Sequence, residues 1–250
     1  MAEFDRPSVA AGSGTAAAVD QGLRSYMLRV YNYMGIGLVV TGLVAWFTFS
    51  SAFVVQNGHI VGLTDFGNAI YNTPLQWVVM LAPLAFVLVL SFGITRLSVA
   101  VTQILFWAFA AVMGLSLSSI FAVYTFTSIS QVFFISAATF LAMSLYGYTT
   151  KRDLTQFGSF LMMGLIGIVI ASVVNIFLHS SGLSFAISIV GVLVFVGLTA
   201  WDTQRIKESY SVGFGAEVLA KGAVMGALSL YLDFINLFLM LLRIFGNQRN

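Results

Sequence analysis

Uncharged, mainly apolar stretches recur along the chain near 34–54, 77–95, 101–123, 131–150, 157–178 and 183–201, and a seventh near 222–242 has the length but contains Asp233. About 20 such residues, rising 1.5 Å each, cross a hydrocarbon core about 30 Å thick. Between Arg96 and Lys151 lie 54 uncharged residues. That is too many for one helix, and the polar stretch YTFTSISQ (124–131) divides them into two. Pro83 falls inside the second run and predicts a kink, which is tolerable where neighbouring helices satisfy the freed carbonyl. The pattern predicts an all-α polytopic membrane protein with seven transmembrane helices. No internal repeat is visible, which removes support for an inverted-repeat transporter.

Upstream of the first run, residues 1–20 are rich in Ala, Gly and Ser, and Glu3, Asp5 and Arg6 precede any apolar stretch. A cleavable signal peptide is therefore not expected, and a flexible cytoplasmic tail is. Residues 21–33 fit two descriptions. They form a short helix on the membrane surface, with Leu23, Met27 and Val30 on one face and Arg24 and Arg29 elsewhere, or they are the first turns of the first spanning helix. The seven-helix domain then covers 21–250.

Composition sharpens this picture. Hydrophobic residues make up 59% of the chain and charged residues 8%, against about 25% charged in a soluble domain. With a mean hydropathy of +0.97, a water-soluble globule and a disordered chain are both excluded. The surrounding lipid bilayer is the first partner. A net charge of +2 is too small to suggest nucleic acid. There is no Cys, hence no disulfide framework or thiolate metal site, and two His leave little for His-ligated metal or His-based catalysis. Neither a resident cofactor nor an enzyme activity is expected.

Lys and Arg flanking spans stay on the cytoplasmic side. With the N-terminus inside, Arg6, Arg24, Arg29, Arg96, Lys151, Arg152, Arg205, Lys207 and Lys221 are all cytoplasmic. The outer loops (55–76, 124–130, 179–182) contain no Lys or Arg, and only Arg243 and Arg249 fall outside. Seven spans place the C-terminus outside, and the two tail arginines leave open a last helix that re-enters without crossing. Small residues at helical spacing, Gly222 with Gly226 and Ala110 with Gly114 and Ser118, predict close helix packing. The four Trp residues read as interfacial anchors.

Chemistry concentrates in two acids. Asp233 would sit about 13 Å below the inner surface, where a carboxylate costs roughly 2.5–3.5 kcal/mol on insertion scales. Its bland role is a protonated Asp hydrogen-bonded to a neighbouring helix. Asp202 ends the sixth helix about 7 Å deep, and that helix runs inward while the seventh runs back, so the two carboxylates can meet. Two carboxylates in one low-dielectric site cannot both ionise cheaply, so such a pair titrates as a unit. Asn236 and Ser229 line the Asp233 face and Thr199 lies one turn from Asp202, all able to supply oxygen. For Asp202 alone, a helix-end salt bridge to Arg205 is the plain alternative. An aspartic intramembrane protease would need YD and GxGD motifs, whereas the residues here read WD and YLD. A cation site fits better: Ca²⁺ takes six to eight oxygens, and two carboxylates with an amide and hydroxyls supply fewer, which suits weak, transient occupancy in a permeation path. A proton-coupled carrier is the third possibility, without a recognisable substrate pocket.

The blocks GLSLSSIF (114–121), MSLYGYTTKRDL (143–154), FVGLTAWDTQRIK (195–207) and LSLYLDFINLFLMLLRIFG (228–246) resemble the Bax inhibitor family of transmembrane proteins, in particular its bacterial branch. The resemblance covers roughly residues 21–250. It implies a seven-helix fold with the last helix at the centre of the other six, residence in a bacterial inner membrane, and a pH-sensitive Ca²⁺ leak. It carries the family's pH-sensing, ion-binding pair onto Asp202 and Asp233. A basic latch at the end of the family's second helix has Arg96 as its nearest counterpart, in the loosely matching LSFGITRLS. The first reading is therefore a calcium leak channel gated by the aspartate pair, with calcium as permeant ion. The competing reading is a regulatory protein that binds other membrane proteins, such as a membrane protease, with the aspartates only pinning helices.

Overall fold

The computed structural model describes residues 10–56 and 59–249, with side chains from residue 19 onward. Its elements in chain order are α1 (Ala10–Ala52), β1 (Phe53–Gln56), β2 (His59–Leu63), α2 (Asp65–Tyr71), α3 (Leu75–Gly93), α4 (Val99–Leu117), α5 (Ile120–Val123), α6 (Phe126–Thr149), α7 (Thr155–Leu178), α8 (Ser181–Glu208) and α9 (Ala216–Phe245). Seven helical segments are long and apolar enough to cross a membrane: α1, α3, α4 continued by α5, α6, α7, α8 and α9. The seven-helix membrane fold expected from the apolar pattern is the fold observed.

Element starts follow local chemistry. Thr64, Ser98, Thr125 and Ser180 each sit in extended conformation before α2, α4, α6 and α8, and each accepts a hydrogen bond from the backbone N–H three residues on. Such caps satisfy one of the orphaned donors of a helix start. Pro83 lies inside α3 and is buried. Residues 21–33 belong to the continuous helix α1, so the surface-helix alternative is set aside. Of the expected flexible tail, residues 10–20 are already helical and residues 1–9 lie outside the described residues. An antiparallel hairpin, β1 with β2, occupies part of the loop after α1, with an irregularity between Val54 and Val55.

The last helix is the core. In its apolar window 72% of residues are buried, against 50% for α8 and 11% for α3 and α7. Helix α9 packs against α8, α1, α6 and α4, and its buried residues, including Leu230, Tyr231, Phe234, Leu237 and Leu241, cover all but one stripe, Met225, Ser229, Leu232, Asn236 and Leu239, which is half-buried. A helix with no exposed residue from Leu219 to Leu242 is one enclosed by others. Its far end is held by backbone bonds: Thr125 N donates to Asn247 O at 3.1 Å and Arg249 N to Val123 O at 2.8 Å. The helix therefore runs the length of the bundle without turning back, which removes the re-entrant alternative.

Between membrane helices there is little hydrophobic driving force, so van der Waals packing and small residues matter most. At Gly147 on α6 an added Cβ would collide with the backbone carbonyl of Ala200 on α8. At Gly114 on α4 it would lie 2.8 Å from Val44 of α1 and press on the Thr41 carbonyl. Only glycine permits these approaches. Nearby, Thr41 Oγ1 donates to Ala110 O at 2.8 Å and shares a 2.6 Å hydrogen bond with Tyr231 Oη. One threonine thus ties α1, α4 and α9 together.

Candidate functional site: a buried aspartate pair

Helices α8 and α9 form the most extensive helix pair in the molecule and run antiparallel. Their register is fixed by Gly226 against Ile206 near one end and Gly191 against Met240 near the other. That register places position 233 opposite position 199, less than one turn from position 202. Both helices also extend beyond their apolar runs, α8 to Glu208 and α9 back to Ala216, so depths counted from the ends of those runs differ while the side chains meet. Asp202 and Asp233 are 7% and 5% exposed, and their carboxyl groups lie within hydrogen-bond reach of each other.

A hydrogen bond between two carboxyl groups needs a proton held between them, because an ionised carboxylate only accepts. The cation beside the pair is Arg205, whose Nη2 lies 2.8 Å from Asp202 Oδ1. That distance makes an ion pair. The N–H groups are nevertheless not directed at the oxygen, so Asp202 Oδ1 has no donor, and neither has Asp233 Oδ2. The geometry of the hydrogens, more than the heavy-atom distance, describes how well this carboxylate is satisfied. Asp202 thus holds both of its expected partners at once. Arg205 itself is half exposed, lies over the Trp201 ring at 4.6 Å, and Trp201 in turn packs flat against Gly158 of α7.

The remaining sequence candidates separate. Ser229 lines a shallow pocket of about 330 Å³ together with Arg205, Tyr26 and Ser209, at the end of the bundle that carries Lys207 and Lys221. Thr199 Oγ1 donates to Phe195 O at 2.7 Å and Asn236 Nδ2 to Leu232 O at 2.8 Å, both within their own helices, so neither donor is turned to the aspartates. Arg96 is exposed between α3 and α4 and forms no ion pair among the described residues. The structure does not bring the candidate latch to Asp202, because Arg96 sits in the α3–α4 connection while α8 packs mainly on α9, α6 and α7; the cation beside Asp202 is Arg205.

Several polar residues that pattern reading missed follow Asp202 along α8 and tie it to neighbouring elements. Thr203 Oγ1 donates to Thr199 O and is 3.0 Å from Ser144 Oγ, which is 2.6 Å from Tyr31 Oη. Gln204 accepts from Leu154 N and donates to Arg152 O, both at 2.8 Å, fastening the α6–α7 connection to α8. The signal available was the string DTQ itself, three polar residues in succession on a helix that is otherwise apolar. Among the described residues no group of three or more His, Asp or Glu is arranged to hold a metal ion. Two carboxylates can engage a hard cation only with water completing its shell.

A family model described as "Inhibitor of apoptosis-promoting Bax1" matches residues 23–250. The chain is 50% identical to the inner membrane protein YbhL of Escherichia coli over 235 residues, covering 91% of this chain and 94% of that one. It is 50% identical to a protein of Rickettsia prowazekii over 231 residues, covering 92% and 93%. A membrane protein of Streptococcus pyogenes is 38% identical over 230 residues, covering 92% and 95%.

Proposed function

The chain belongs to the Bax inhibitor family of multi-pass membrane proteins, and on that premise we propose that it is a pH-sensitive calcium leak channel rather than an enzyme. The carrying observation is the buried Asp202–Asp233 pair, with one oxygen on each carboxyl lacking a donor. A buried acceptor without a donor is costly, and a proton or a divalent cation relieves that cost at the same place. Proton and calcium then compete for one site. With the proton bound the pair is a hydrogen-bonded clamp between α8 and α9. With it lost, two adjacent carboxylates repel and favour a doubly charged ion, whose six to eight oxygen ligands are completed by water. Occupancy is transient, as conduction requires. Arg205 acts as a positioning residue: it stands between Asp202 and the shallow pocket at the basic end, so a cation entering there must displace it.

The test is calcium flux through the full-length protein in liposomes over a range of pH. Asp202→Asn or Asp233→Asn should flatten the pH response, since a permanently neutral side chain mimics one protonation state throughout. Replacing His59 and His179 by Gln, both exposed at the other end of the bundle, should leave the response intact. A flat response in the His variant, or an unchanged one in both Asn variants, discards the mechanism. The reading also places the N-terminus in the cytoplasm of a bacterial cell, with the basic end inside. Reporter fusions after residues 65 and 180 should then report the outside and a fusion after Lys151 the inside; the reverse pattern would invert the orientation.

A further inference from the structure

Helices α1 and α6 both pack on α9 but barely touch one another. What joins them is the 2.6 Å hydrogen bond between Tyr31 Oη and Ser144 Oγ. Above that bond the two helices leave a lateral groove of about 490 Å³, walled by Leu28, Leu141 and Leu145 and ending at Arg24 and Tyr148. The three leucines are exposed, so the groove opens to the bilayer and is covered by no other part of the chain among the described residues. It is almost wholly apolar, and its volume lies within the range of about 300–1,000 Å³ that ligand sites occupy. Its one formal charge is Arg24. Among the described residues no acid lines the groove, and Asp20, one turn earlier on α1, makes no ion pair with Arg24; the ion pairs among those residues are Arg205–Asp202 and Lys221–Glu217. A second cation stands close by, since Lys207 Nζ donates to Tyr148 O and lies 5.2 Å from the Tyr148 ring.

We propose that this groove between α1 and α6 is a specific site for an anionic phospholipid, with one acyl chain along Leu28, Leu141 and Leu145 and the phosphate-bearing headgroup at Arg24. Three features support that occupant. The groove faces hydrocarbon, where only an apolar chain fills such a surface without cost. Its charged end is at the basic end of the bundle, where headgroups lie. Its unpaired guanidinium, close to a second cation, complements a net negative headgroup and not a zwitterionic one, whose own ammonium would meet the same positive field. The floor is closed by the Tyr31–Ser144–Thr203 hydroxyl chain, so the polar interior is separated from the acyl chain by a single layer of hydrogen bonds.

The test uses full-length protein in phosphatidylcholine vesicles containing a minor fraction of a photoreactive acyl-chain probe, either phosphatidylglycerol or phosphatidylcholine, with crosslinked peptides mapped by mass spectrometry. The expected result is severalfold more labelling of segments 27–31 and 141–148 by the phosphatidylglycerol probe, while exposed Ile170 and Phe177 on α7 are labelled equally by both. Arg24→Gln should reduce the groove preference roughly fivefold, the effect of one basic residue at an anionic surface, and Arg24→Lys should retain most of it. Leu141→Trp, which fills the groove from an exposed position, should remove groove labelling by both probes while α7 labelling, unchanged, reports an intact fold. Equal labelling of the groove by the two probes in the unsubstituted protein would mean annular lipid only and overturn the proposal. So would an undiminished preference in Arg24→Gln.

Discussion

Helix α7 and helix α9 invert the rule learned from soluble proteins. The richest window of α7 has a mean hydropathy of 2.5 and is 11% buried, whereas that of α9 has a mean hydropathy of 1.8 and is 72% buried. The more apolar helix is outside. In water, apolarity marks what is hidden; in a bilayer, the outer face is in contact with hydrocarbon, and the interior is where polar groups must find each other. Thr41, Tyr231, Thr199, Asp202, Thr203 and Asp233 are all buried or nearly so, while Phe177 on α7 is 79% exposed. What keeps α9 in the centre is therefore fit and hydrogen bonding, and apolarity alone would have chosen another helix.

The most forceful way to break this contrast is to add volume where backbones meet. Gly147→Leu places atoms into the Ala200 carbonyl, and we expect loss of monodisperse folded protein, because overpacking here has backbone and not a movable side chain as its obstacle. Gly167→Leu on α7, where nothing lies within 4 Å, should leave the size-exclusion profile and thermal stability unchanged. Removing volume gives a smaller, graded effect. Leu237→Ala on α9, 0% exposed, should destabilise by about 2–5 kcal/mol, and Ile176→Ala on the lipid face of α7 by less than about 0.5 kcal/mol, as read from unfolding in mixed detergent. Equal losses at the two sites would contradict the inside–outside assignment. The smallest effect concerns the start of α7, outside the spanning segments. The Thr155 hydroxyl and backbone N–H both bond Asp153 and hold its carboxyl below its ordinary value of 3.8. A lowered folded-state value means that the stabilisation is complete above the ordinary range and is lost as pH falls through the folded value. Asp153→Ala should therefore differ slightly from the parent protein at neutral pH, and the two should converge in strong acid when melting is followed against pH.

Much of this was legible because lipid imposes length. Six runs and Asp233's interrupted seventh located all seven spanning helices, and Ser98, Thr125 and Ser180 mark starts that an N-cap reading would place within a residue. The first helix escaped that logic. Arg24 and Arg29 interrupt the apolar run without interrupting the helix, since charged residues form helix readily once outside the hydrocarbon core. The hairpin over Phe53–Leu63 was missed for a related reason: eleven polar and apolar residues in a loop carry too little periodicity to read. At the site, Asp202 and Asp233 could be picked out singly by the cost of a carboxylate in lipid. Their possible partners could be named, but not which of them Asp202 takes. Arg205 is local to α8, but whether Asp202 also meets Asp233 depends on the register of α8 against α9, and that register is set by contacts such as Ile206 on Gly226, which are distant in sequence.

The clasp that ties Asn247 and Arg249 to the segment around Val123–Thr125 has a consequence for biosynthesis. Translation delivers helices in order, so the other six are in the membrane before the one that α1, α4, α6 and α8 enclose has been made. Until then Asp202 lacks its acidic neighbour, and the place beside Gly191 that Met240 fills stands empty. Nascent α9 must slide into a ring already assembled, or the ring must wait loosely for it. Because the clasp draws on residues beyond Phe245, the bundle is locked only after α9 itself is complete, and a chain cut just after α9 would hold every helix without this fastening.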